Sequence, residues 1–120
     1  MNVVANLLVG LVAAVHVYFL VLEMFLWKTP RGRAVFGTDE EFADKAAALA
    51  ANQGLYNGIL AAGLIWSLFA GDDVAFQVRV FFLISIIVAG LYGAVTVSRR
   101  ILLFQALPAA LGLVFVLLAH

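Results

Sequence analysis

The sequence contains no cysteine and only two prolines, and just 12% of its 120 residues are charged. Without cysteine there are no disulfides, no thiolate metal site and no thiol redox chemistry. Seven basic residues are balanced by seven acidic ones, so no net positive field exists to hold nucleic acid. The opening, MNVVANLL, lacks the basic segment and small-residue cleavage pattern of a signal peptide. The first apolar stretch is therefore expected to remain as a membrane span. What is present is apolar, with 66% of residues hydrophobic. A soluble domain of this size cannot hide that much apolar surface, because small domains leave much of their surface facing solvent. The composition is that of an integral membrane protein.

Four apolar stretches can be marked off, at 3–27, 45–69, 75–97 and 101–119. Each is near the ~20 residues that a spanning helix needs. The expected fold is an all-α membrane protein, a single domain of four transmembrane helices packed as a bundle over 1–120. Ser98-Arg99-Arg100 holds neither Gly nor Pro, yet a break is forced there. An unbroken helix from 75 to 119 would be roughly 65 Å long, too long for one bilayer. Lys28, Arg31, Arg33, Lys45, Arg99 and Arg100 flank the first and third gaps, and only Arg79 lies towards the other side. The positive-inside rule then places loops 28–44 and 98–100 in the cytoplasm and both termini outside.

The first gap, KTPRGRAVFGTDEEFAD, is the one sizeable polar segment. Thr-Pro and Arg-Gly read as turn marks. Thr38 with Glu41 reads as a capping box for the second helix, and Phe36 and Phe42 are expected to dip into the interface. Arg31 and Arg33 set topology and touch lipid phosphate in the plain reading, or form a rim for an anionic ligand in the sharper one. In the second helix, Gly54 and Gly58 make a GxxxG step. Its expected partner is the third helix, through Ala89/Gly93 or Gly90/Ala94, with homo-oligomer contact as the other use. Pro108 is expected to kink the fourth helix.

The chemistry gathers around HVYFLVLEMFLW, residues 16–27. His16 and Glu23 are two helical turns apart and point the same way, with Trp27 a turn further on. Ionisable groups at membrane depth are costly and usually face a bundle interior or wet cavity. Counted inward from the flanking charges, Glu23, Asn52, Gln53, Tyr92 and Gln105 lie ~8–12 Å deep, and His16, Tyr56 and Asn57 ~17–18 Å. These nine residues, with Trp27 included, are the expected lining of a ligand pocket in the cytoplasmic half. Each amide alone is as well explained as helix–helix glue. Glu23 beside Trp27 is equally well explained as a carboxylate reaching the interface. One His and one Glu fall short of a metal site, and neither a metal nor a cofactor is expected.

The runs HVYFLVLEMFLWKTPRGRAVFG and ANQGLYNGILAAGL resemble the bacterial family of domain of unknown function 1304, over essentially the whole chain. His16, Glu23, Trp27, Pro30, Gly32, Asn52, Gln53, Tyr56 and Asn57 carry the match. The resemblance implies a four-helix membrane protein of the bacterial cytoplasmic membrane and no activity. The functional expectation is binding or transport of a small, partly hydrophobic molecule or lipid. One alternative is an enzyme on a lipophilic substrate, distantly like membrane-associated eicosanoid and glutathione enzymes, with Glu23 or His16 as general acid/base. The other is a structural partner that assembles through its small-residue ridges.

Overall fold

The computed structural model describes residues 3–120. Every regular element among them is helical: α1 (Val3–Met24), α2 (Pro30–Phe36), α3 (Glu40–Phe69), α4 (Asp72–Thr96) and α5 (Leu107–Ala119). A π-helical turn, Leu102–Ala106, leads into α5. Five helices thus stand where four were expected. Three helical segments are long and apolar enough to cross a membrane: Val3–Met24, Asp72–Thr96 and Leu102–Ala119. α3 is longer still at 30 residues, but Asn52, Gln53 and Asn57 and its acidic first turn dilute its apolar character.

The additional helix is α2, which forms inside the segment expected to be a turn. Thr29 caps it in extended geometry, its hydroxyl accepting from the Gly32 N–H at 3.2 Å, and Pro30 occupies the first turn. Proline suits that position because its missing N–H has no helical partner there. Gly37 ends the helix at φ 66°, a left-handed conformation that disfavours side chains. Gly32 is obligatory for another reason: a Cβ there would collide with the backbone carbonyl of Leu26. α2 therefore lies directly against the chain leaving α1.

α3 starts one residue later than the expected capping box requires. Asp39, not Thr38, supplies the cap, its carboxylate accepting from the Phe42 N–H at 2.7 Å. The Thr38 hydroxyl is buried without a hydrogen bond, while Glu41 pairs with Lys45. A carboxylate is favoured over a hydroxyl at this end because it also meets the positive pole of the helix.

The forced break after α4 is present. Gly93 C=O accepts from both Val97 and Ser98 N–H, and the Ser98 hydroxyl accepts from Arg100 N–H. Serine here replaces Gly or Pro as the stop, by hydrogen-bonding the backbone two residues on. Past it, Leu107 N–H bonds Leu102 C=O in the wider π register. Pro108 follows at once; its ring crowds the carbonyl four residues back, and the widened turn gives that carbonyl room.

The chain forms two compact units, divided within α1 and within α3. One comprises residues up to Val15 together with Leu60–His120. Its core contains Ala5, Val9, Leu64, Leu83, Ile86, Ala109 and Val116, all fully buried. Gly90 there meets Ala106, and Gly93 meets Ile101. The other unit is His16–Ile59, where Gly54 and Gly58 face Leu20, Glu23 and Met24. The GxxxG step of α3 therefore packs against α1, and the small residues of α4 meet the chain entering α5. The expected α3–α4 pairing of these ridges is replaced by two separate ones.

Candidate functional site

Within His16–Ile59, the close approach at Gly54 and Gly58 determines which polar groups meet. Asn57 is three residues after Gly54, so the two are neighbours on one face of α3. A Cβ on Gly54 would run into the side chains of Met24 and Glu23. With no side chain in the way, the short Asn57 amide reaches across, and its Nδ2 donates to Glu23 Oε1 at 2.5 Å. Glu23 is 3% exposed and Asn57 8%. An amide donor to a carboxyl oxygen away from water is a strong hydrogen bond, because no solvent competes for it.

Sequence depth puts Asn52, Gln53 and Gln105 level with Glu23; the amide of α3 that bonds it is Asn57. Asn52 and Gln53 are exposed, and Gln105 lies in the π-helical turn before α5. The reason is the face of α3 on which each lies. Gly54 meets Glu23 and Met24, so Asn52 and Gln53 lie near the level of Glu23, but Gln53 is ~100° and Asn52 ~160° round the helix from Gly54, which turns both away from α1. Tyr56 and Tyr92 are 60% and 72% exposed.

His16 is fully buried, and its ring meets Phe19 edge-on at 5.9 Å. The aromatic contacts continue from Phe19 to Phe36 of α2, and from Phe36 to Trp27 at 5.2 Å. Trp27 donates its indole N–H to Ala43 C=O at 2.8 Å. That bond ties the chain after α1 to the start of α3 and gives the ring an internal duty. Among the described residues, no three His, Cys, Asp or Glu side chains gather as a metal site would require. A buried carboxyl with an amide donor, a fully buried imidazole and an aromatic wall can accept hydrogen bonds and protons, and can shelter an apolar body.

A second buried polar group was missed in the sequence. Arg79 is 2% exposed; its Nε donates to Ser67 Oγ and its Nη2 to Ser67 C=O, both at 3.2 Å. Ser67 lies in the last turn of α3, where carbonyls lack helical partners and a cation is favoured. By sequence alone Arg79 is only the one basic residue on the opposite side of the topology count. A lone arginine four residues inside an apolar stretch was the signal that it faces inward.

The family described as "Protein of unknown function (DUF1304)" matches residues 10–117. The chain is also similar to the uncharacterized protein YpaA of Lactococcus lactis subsp. lactis (strain IL1403). The two are 34% identical over 116 residues, covering 95% of this chain and 97% of that protein. No solved structure matches the chain. With nearly its full length matched by the family and by a relative of the same size, the chain belongs to the DUF1304 family.

Proposed function

We propose that this is a four-span protein of the bacterial cytoplasmic membrane that binds or transports a small, partly hydrophobic molecule through Glu23. In this reading α3 is the fourth span, loops 28–44 and 98–100 face the cytoplasm, and both termini lie outside. The observation that carries it is the Glu23–Asn57 hydrogen bond, made away from water in a helix apolar enough to cross a membrane. Desolvating a carboxyl is costly, and a partner that only glued two helices together would not need one. Asn57 holds the carboxyl in place, and a ligand with an amine, amide or hydroxyl would supply the further donors. His16 and the aromatic residues beside it would receive the apolar part of such a ligand. The GxxxG step is occupied by α1, which removes the strongest sequence argument for a purely structural assembly role.

The test compares wild-type protein with Glu23→Gln, Glu23→Ala and Glu40→Ala, each purified from membranes, extracted with solvent and examined by mass spectrometry. Wild type and Glu40→Ala should carry the same small molecule, and both Glu23 variants should lose it. Glu23→Ala should also be less stable, since the Asn57 donor left unpaired costs about 1–3 kcal/mol. If Glu23→Ala matches Glu40→Ala in retained compound and in melting temperature, Glu23 is not a binding group.

A further inference from the structure

The elbow between α1 and α2 holds a cation that the protein orients without neutralising. Most charges in this region are already engaged. Lys28 pairs with Asp44 at 3.5 Å, Lys45 with Glu41 at 3.0 Å, and Asp39 caps α3. Among the described residues, Arg31 is in no ion pair. Its Nε and Nη2 instead donate to the hydroxyl of Tyr18, at 3.1 and 2.6 Å, and its guanidinium carbon lies 5.8 Å from the centre of the tyrosine ring.

The position of that hydroxyl matters. Tyr18 is six residues before the end of α1, ~9 Å along the helix. The Arg31 side chain therefore runs back along α1 instead of outwards into water. Both residues are exposed, so the guanidinium sits on the outer surface of α1, inside its end. Close by in the chain are Phe25, 71% exposed, and the Trp27–Phe36 ring pair, aromatic residues of the kind that mark a membrane–water boundary. A neutral phenol fixes the direction of the guanidinium but leaves its charge uncompensated. Nη1 and one hydrogen of Nη2 remain for a further acceptor. The acceptor that a planar guanidinium meets at this level of a bilayer is a phosphate.

We propose that Arg31, oriented by Tyr18, binds the phosphate of an anionic phospholipid headgroup at the end of α1. The inference rests on α1 crossing the bilayer and is independent of any ligand at Glu23.

The experiment uses the full chain in detergent, supplied with either phosphatidylglycerol or phosphatidylcholine, and counts retained lipid by native mass spectrometry. Wild type should retain phosphatidylglycerol about fivefold better, the weight of one basic residue at an anionic surface. Arg31→Gln should lose that preference, and Tyr18→Phe, which keeps the charge but not its orientation, should lose part of it. Lys28→Gln, whose charge is already paired, should keep it. Equal retention of the two lipids by wild type overturns the proposal, as does an undiminished preference in Arg31→Gln. Displacement of the lipid by inorganic phosphate would assign the site to a soluble anion and overturn it too. Should Arg31→Gln fail to fold, Arg31→Met removes the charge and keeps an unbranched stem; an undiminished preference there would also refute the assignment.

Discussion

At the scale of single residues, Arg79 and Ser67 illustrate an asymmetry in buried polar pairs. The guanidinium makes two hydrogen bonds to Ser67, while its Nη1 is buried and makes none. Removing the acceptor leaves a buried cation short of partners; removing the cation as well leaves only a neutral carbonyl. Ser67→Ala is therefore expected to destabilise the protein by about 1–3 kcal/mol, and adding Arg79→Met should restore part of that loss. Thermal unfolding of the two single variants and the double in one detergent provides the check. Additive losses would mean that the pair does not act as a unit. Glu23 was legible in the sequence because a carboxylate inside an apolar helix demands a partner. Which amide answers it was not, because the choice among Asn52, Gln53 and Asn57 depends on which face of α3 meets α1.

At the scale of elements, close approaches fall into two kinds that the sequence does not separate. A Cβ on Gly58 would meet the tip of the Leu20 side chain, which can rotate away. On Gly90 it would meet the backbone nitrogen and Cα of Ala106, about to enter α5. Backbone cannot retreat without moving its whole turn, and here that turn is already in π register beside Pro108. Gly90→Val should thus lower the melting temperature well beyond Gly58→Ala, and the reverse order would mean that the α4–α5 contact is looser than it looks. The spacing of small residues predicted that ridges exist, but not which helix each one meets. The signals of α2 were in plain sight: Thr29 and Pro30 at one end, Gly37 at the other. They read as a turn because seven residues are too few to show a hydrophobic period.

At the scale of the whole molecule, the proposed number and direction of membrane crossings turn on which charges the fold engages. The apolar stretches were readable from composition, since three coincide with helices long enough to span. α3 is harder to place, because at 30 residues it is ~45 Å long and exceeds the ~30 Å apolar core of a bilayer. Its first turns carry Glu40, Glu41 and Lys45, exposed and partly paired with one another, and these suit the region outside the bilayer. Arg79, the single basic residue against the proposed orientation, is buried and bound to Ser67, so it does not act as a surface charge flanking a span. The six remaining basic residues all flank the first and third gaps, as the proposed topology with those gaps in the cytoplasm requires. Reporter fusions after Gly71 and after His120 should therefore both read as external, and one after Gly37 as cytoplasmic. Because a buried arginine has no vote, Arg79→Gln should leave all three readings unchanged. Neutralising Arg99 and Arg100 together should instead weaken the external reading at His120. A cytoplasmic signal at Gly71 in the wild-type chain would mean that α3 does not cross.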